Sequence, residues 1–154
     1  MQVTVTTTID APIERVFDLA RDMDFHQRSL AHTGEVIVAG VRTGLIGLDE
    51  SVTFRGKHFG LTQTFTARVT AFDRPNSFCD EMTRGAFADF RHTHEFESVG
   101  ESTRMRDTID FASPLGIVGR AVDRLFMGRY LCRLLRQRGD AIKLEAERQR
   151  AEAG

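Results

Sequence analysis

The sequence predicts an α+β protein, a curved antiparallel sheet wrapped around one long C-terminal helix, with two short helices after the first strand. Three observations predict it. From Gly34 to Ala112 the chain is a succession of segments that alternate polar and apolar residues, punctuated by Gly, Pro, Asn and Asp. Ahead of them, Ile13–Leu30 carries helical spacing in two short pieces. Beyond them, from Val118, apolar or small residues recur in steps of three and four along a helix of about seven turns. The strands are polar on one side and apolar on the other. Only the long helix has enough apolar area to cover the second side.

Taken in order, Met1–Ile9 alternates Val3, Val5, Thr7 and Ile9 against threonines and is rich in β-branched residues, which suit a strand. Asp10-Ala-Pro12 opens a helix: Asp10 can accept a backbone N–H as cap, and Pro12 is tolerated in the first turn, where no donor is needed. Ile13, Val16, Phe17 and Ala20 form its apolar stripe, and Asp22 caps a second short helix through about Leu30, with Met23 and Phe25 or His26 facing in. Strands are expected at Glu35–Ala39, Glu50–Arg55, Leu61–Phe72, Phe78–Arg84, Phe87–Val99 and Thr103–Ala112, with Gly56–Gly60 as a loop or turn. In Leu61–Phe72, Leu61, Gln63, Phe65, Ala67 and Val69 take the inward phase. The helical stripe reads Val118, Ala121, Leu125, Gly128, Cys132, Leu135, Gly139, Ile142, widened by Val122, Phe126, Leu131 and Leu134. After Lys143 the chain turns charged and alanine-rich, and residues 144–154 are expected to fray.

A chain of 154 residues is one domain, long enough for a single substantial core. No stretch is apolar for long enough to span a bilayer, and the alternation in Gln2–Thr8 is not that of a signal peptide, so a cytoplasmic protein is expected. Cys79 and Cys132 are far apart in sequence and read as two core thiols. The net charge of −1 gives no global attraction to nucleic acid, but it divides into −5 for Met1–Pro114 and +4 for Leu115–Gly154. No phosphate loop, nucleophile elbow or dinucleotide fingerprint is present, which sets aside nucleotide hydrolysis and hydride transfer.

The chemistry concentrates in Phe90-Arg-His-Thr-His-Glu-Phe96. Phe90, His92, His94 and Phe96 share the apolar phase, so two imidazoles roughly 7 Å apart project into the interior. A plain register around Gly100 sets Phe96 opposite Met105 and His94 opposite Asp107; a bulge near Gly85 or Gly100 would reverse the phase. In that register a carboxylate fixes the tautomer of His94 and raises its basicity. Three uses are open: a self-satisfied buried network, recognition of a ligand, or acid–base catalysis by His94 and Asp107. His92, His94 and Asp107 also have ligand types for Zn²⁺ or Fe²⁺, but no fourth ligand is evident, so neither metal nor cofactor is expected. Arg55, Lys57 and His58 form a basic cluster near a loop, able to meet an anion at a cavity mouth. Asp80 and Glu81 are neighbours on a strand, point to opposite faces, and are expected to pair with Arg84 or Arg91. Gly128 and Gly139 on the helical stripe mean either close backbone approach or room for a ligand. Phe54, Phe65, Phe90, Phe96, Phe111 and Phe126 would wall that room.

The sequence resembles the START/Bet v 1-like superfamily, also called SRPBCC or polyketide cyclase/dehydrase-like proteins, over residues 2–143. The resemblance rests on Ile9-Asp-Ala-Pro-Ile-Glu-Arg-Val-Phe17, Phe54-Arg-Gly-Lys-His-Phe-Gly60, Phe72-Asp-Arg-Pro75, Phe78-Cys-Asp-Glu81, Phe90 to Phe96 with Arg106-Asp107, Pro114-Leu-Gly116 and Leu125 to Arg138. It implies the helix-grip fold and a cavity for hydrophobic molecules under the helix, where some members cyclise or dehydrate polyketides. The expected function is binding of a small hydrophobic or amphipathic molecule by Phe54, His58, Phe65, Phe90, His92, His94, Phe96, Met105, Asp107, Leu125, Gly128 and Cys132. The alternatives are a cyclase/dehydratase using His94 and Asp107, and an interaction module using the basic helix face at Arg129, Arg133 and Arg136. A small hydrophobic ligand is the expected partner, with no nucleic acid and no stable membrane insertion; a dimer is left open.

Overall fold

In a computed structural model, which describes residues 1–31, 34–58 and 60–153, with the side chains of His58 and Ala153 outside the description, the chain forms a single antiparallel sheet of seven strands and a set of helices. Strand β1 is Gln2–Ile9; helices α1, Ile13–Ala20, and α2, Met23–Ser29, follow it. Strands β2 (Val36–Gly40), β3 (Ser51–His58), β4 (Leu61–Asp73), β5 (Ser77–Arg84), β6 (Asp89–Val99) and β7 (Ser102–Ala112) then run as successive antiparallel neighbours. The sheet order is β1-β7-β6-β5-β4-β3-β2, so the first strand returns to the last. The C-terminal helix comes in three parts: α3 (Gly116–Val122), a π-helical turn (Asp123–Met127) and α4 (Gly128–Ala153).

Alternation sets the faces as expected. In β7 the inward series Thr103, Met105, Asp107, Ile109 and Phe111 is buried while the intervening residues are exposed or half-buried. The β6–β7 register pairs Phe96 with Met105 and His94 with Asp107, as the alternation around Gly100 predicts. Asp22 caps α2, its carboxylate accepting the Phe25 N–H at 2.9 Å. Asp10 does not cap α1. Pro12 holds that position without a side-chain bond, and the Asp10 carboxylate instead accepts from Arg150 and from Ser102.

Three further expectations change. Gly56-Lys57-His58 is not a loop: it extends β3 and pairs with Leu61–Gln63, because two strand-long backbones continue their ladder past a glycine with little side-chain help. Leu61 takes the inward phase at the end of β4 but stands 66% exposed beside the hairpin turn. Residues 144–153, expected as a frayed tail, are helical as the end of α4. Ala146 is fully buried, and the end of α4 is tied down by Glu147 accepting the Asp10 N–H at 2.9 Å and by Arg150 donating to Glu101 at 2.7 Å.

The core lies between sheet and helices. Phe17 of α1 is fully buried, its ring edge-on to Phe72, Phe78 and Phe96 at centroid distances of 5.2 to 5.5 Å; burying such a ring stabilises by about 2 to 3 kcal/mol. On the opposite side Leu131 and Leu135 of α4 close on Phe90, Ile109 and Phe111. Gly139 lets α4 approach β1: a Cβ there would lie 2.5 Å from Thr7 Oγ1. Gly128 similarly accommodates Met1. Both helix glycines therefore serve backbone approach rather than ligand room.

Candidate functional site

The clusters do not close completely, and a cavity of about 310 Å³ remains under α4. Strands β3 and β4 wall it with Val52, Phe54, Phe65, Ala67 and Val69, β6 with Phe90, and α4 with Leu131, Leu134 and Leu135. One part of the wall is polar. There β5 presents Asp80, β6 presents His92 and His94, and α4 presents Arg138, with His26, Glu35 and Tyr130 beside them.

The parity of three strands builds this cluster. Asp80 follows Phe78 by two on β5 and stands opposite His92; Asp107 on β7 stands opposite His94. His94 is 2% exposed and lies between two carboxylates. Its Nε2 bonds Asp80 Oδ1 at 3.1 Å, and its Nδ1 approaches Asp107 Oδ1 at 2.6 Å. That second contact is an ion pair rather than a hydrogen bond, since Nδ1 has no partner in hydrogen-bonding direction. His92 Nε2 bonds the same Asp107 oxygen at 3.2 Å. The Phe78 ring stacks on His94 at 4.1 Å, and the two imidazoles lie 3.8 Å apart.

The protonation pattern follows from these distances. Burial opposes a charge on His94, but the 2.6 Å contact with the Asp107 carboxylate and the hydrogen bond and charge of Asp80 outweigh it and hold the imidazole above its ordinary range. Burial and the charge of His94 together push His92 down. Burial alone would raise the two carboxyls; the histidines hold both Asp107 and Asp80 below the usual carboxylate range. These directions favour two carboxylates and place an imidazolium charge on His94 rather than on His92. An ionised Asp107 only accepts, so His92 carries its proton on Nε2 and keeps Nδ1 as an acceptor.

Arg138 completes the wall. Its guanidinium bonds His26 Nδ1 and the Ala20 carbonyl, while its buried Nε has no partner among the described residues. Burial and then the Arg138 charge push His26 down to about 4. Neutral His26 accepts from Arg138 at Nδ1, donates from Nε2 to Glu35 at 3.1 Å, and stacks on Phe54 at 4.7 Å.

Of the residues expected here, Phe54, Phe65, Phe90, His92 and His94 line the cavity. Asp107 stands behind them, touching the histidines and not the cavity. Phe96 and Met105 belong instead to the core around Phe17, nearer the end of the sheet. Phe111 packs against Leu131 and Leu135 without reaching the cavity surface. Leu125 and Phe126 point to solvent, 57% and 63% exposed, and Val118 and Ala121 are also exposed. The π turn at Asp123–Met127 is the reason. It adds a residue to one turn, so the stripe that faces the sheet along α4 is rotated away ahead of it. Gly128 and Cys132 are off the cavity, and the side chain of His58 lies outside the described residues. Arg55 and Lys57 are exposed and not part of the cavity wall. Glu81 pairs with Arg91 at 3.6 Å as expected, but Asp80 turns inward to His94.

Asp80, His26, Glu35, Tyr130 and Arg138 are the members sequence reasoning missed. Two had a signal. Asp80 shares the phase of Phe78, and Arg138 lies three residues after Leu135 and four before Ile142. For a metal, the trio brought together is Asp80, His92 and His94, each with a ligand atom within 4.8 Å of the others, rather than the set with Asp107. Within the trio His94 Nε2 and Asp80 Oδ1 already bond each other, while His92 Nε2 bonds Asp107.

A seven-stranded antiparallel sheet with a long C-terminal helix and two short helices after the first strand is the arrangement of START/Bet v 1-like proteins. The profile of the family described as "Polyketide cyclase / dehydrase and lipid transport" matches residues 1–147, and the chain belongs to that family. No curated protein matches the sequence. Among solved structures it is similar to TTHA0849 from Thermus thermophilus, at 22% identity and a TM-score of 0.71, covering 92% of this chain and 97% of the other. It is also similar to a START superfamily protein from Mycobacterium smegmatis (15%, TM-score 0.71, 96% and 98% covered) and to Ara h 8.0201 (13%, TM-score 0.68, 95% and 97% covered). At these identities the likeness speaks for the fold. No helix among the described residues is long and apolar enough to cross a membrane.

Proposed function

We propose that the protein reversibly binds a small amphipathic molecule in the cavity beneath α4. The observation that carries this is the division of one 310 Å³ space into phenyl and aliphatic walls and a single polar patch. Apolar walls supply affinity and a few convergent polar groups fix orientation, the usual build of a ligand site. His92 Nδ1 is an acceptor and Arg138 Nε a donor, so the polar end of the ligand carries an O–H or N–H beside an acceptor oxygen. Native mass spectrometry of the purified protein, against the denatured protein, tests the reading. An organic mass lost on denaturation, and reduced in a His92→Ala variant, supports it. A mass excess unchanged by both His92→Ala and Phe90→Ala would refute it.

A second reading is favoured by the charged His94, held between two carboxylates at the cavity wall. It makes His94 and Asp107 a proton-transfer pair acting on a poly-oxo substrate, as in a cyclase or dehydratase. A substrate must then displace Asp80 from Nε2 to reach the acid. Turnover of a poly-β-ketone that disappears in His94→Gln would support catalysis; binding without turnover would leave the carrier.

A further inference from the structure

The segment joining β7 to α4 is unlike the rest of the surface. Leu115, Ile117, Val118, Leu125 and Phe126 are each 57% to 79% exposed, and Val122 is 39% exposed. Such an apolar cluster is more than the scattered exposed side chains of an ordinary soluble surface, and it marks a contact site. The segment is not loosely folded. Its two buried residues, Gly119 and Asp123, fix it from inside. The Asp123 carboxylate accepts the Ser113 N–H at 3.0 Å and also the Ser113 hydroxyl, and a Cβ at residue 119 would collide with the Pro114 carbonyl. The anchored inner face thus holds the apolar side chains outward.

Charge narrows the partner. Between Pro114 and Gly139 the sequence has six arginines and one acid, the buried Asp123. Arg138 turns into the cavity. Among the described residues, Arg120, Arg124, Arg129, Arg133 and Arg136 make no ion pair, whereas Arg21, Arg68, Arg74, Arg91, Arg104, Arg148 and Arg150 each hold a carboxylate. Two copies meeting through this face would bring the unpaired arginines of each towards those of the other. A nucleic acid would leave the apolar side chains in water. The interface of an anionic bilayer meets both needs: acyl chains take the apolar side chains and headgroups take the guanidiniums.

We propose that Leu115–Phe126 docks the protein reversibly on an anionic lipid surface. Ser113 and Met127, at the two ends of the segment, both line the cavity, so docking sets a wall of the cavity against the bilayer. The docking stands without the ligand reading; only its use, exchange of a bound molecule with the membrane, rests on it.

The chain has no tryptophan, so Phe126→Trp provides a sole indole reporter. The variant, checked for fold by circular dichroism, is titrated with phosphatidylcholine vesicles with and without phosphatidylglycerol. Expected are a blue shift and co-sedimentation with the anionic vesicles, weakening as salt rises. Adding Arg120→Glu and Arg124→Glu, or separately Ile117→Ser and Leu125→Ser, should weaken binding at least about tenfold. Emission unmoved by anionic vesicles would overturn the proposal. So would equal binding by the serine variant, or a lipid-free, concentration-dependent blue shift with doubled mass, which would assign the face to a second copy. None of these outcomes depends on whether the cavity holds a ligand.

Discussion

Asp107→Asn keeps the shape of the side chain and removes its charge from the most buried part of the site. Asp107 is 2% exposed and faces His94 at 2.6 Å and His92 at 3.2 Å. Removing one member of a buried ion pair costs roughly 3 to 5 kcal/mol, because the partner charge is left uncompensated. Asp80 still holds the other nitrogen of His94, so the lower figure, about 3 kcal/mol, applies. For a domain of this size that is a fall in Tm of about 6 to 12 °C. The dependence on pH carries the sharper test. His94 is raised in the fold, so its pairing contributes fully below about pH 6.5 and is lost as pH rises through the raised value. Asp107 is lowered, so its share is present above about pH 3.8 and is lost as pH falls through the lowered value. The difference between wild type and variant should therefore peak between these limits and shrink on either side. Urea unfolding followed by circular dichroism at a series of pH values measures it. A difference below about 1 kcal/mol at its maximum, or one independent of pH, would mean that Asp107 and His94 are not an ionised pair.

Three other outcomes follow from the same geometry. His26 has a folded value of about 4, below its ordinary 6.5, so the unfolded chain binds its proton first and stability falls as pH drops through that window. The loss is about 3 kcal/mol, and His26→Gln, which keeps a donor and an acceptor for Glu35 and Arg138, should remove most of that slope in urea titrations between the two pH values. Ala67 lies on the cavity wall and is 3% exposed; Ala67→Phe should fill the space, abolish the bound organic mass in native spectra and change stability by only about 1 kcal/mol. Gly139→Leu should lower stability by about 1 to 3 kcal/mol, seen as a shift of the urea midpoint, because its side chain meets Thr7 and Met105.

The strands and their faces were legible because period-two alternation is a direct record of one wet and one dry side. The short turn at Gly100 made even the His94–Asp107 register readable, since a hairpin leaves little freedom to slip. The phase of Asp80 is legible, but acids near Arg84 and Arg91 usually pair with those arginines at the surface. Arg138 keeps the helical spacing of Leu135 and Ile142, but spacing alone does not mark an inward arginine: a guanidinium enters a core only when partners on other elements, here His26 and Ala20, receive it. Val118 and Leu125 lie off the expected stripe for a different reason. Steps of three and four keep one face only while every turn has 3.6 residues, and the π turn at Asp123–Met127 breaks that condition with no glycine or proline inside it to announce it. The tail beyond Lys143 looked unanchored because its partners, Asp10 and Glu101, are distant in sequence.

The return of β1 to β7 has a consequence for how the molecule assembles. Every other strand pair in the sheet joins consecutive strands, whereas Gln2 and Asp110 meet across 108 positions. Closing a loop of that length costs about 2 kcal/mol more than closing one of ten residues. The successive ladders from β2 to β7 can zip locally, so the β1–β7 ladder and the docking of α4 over β1 form late. Until then the β7 edge offers eleven residues of unpaired backbone, including the inward row Met105, Asp107 and Ile109, to any neighbouring chain. Refolding from urea should accordingly be slow and lose yield as protein concentration rises, and β1 supplied in trans as a peptide should restore that yield.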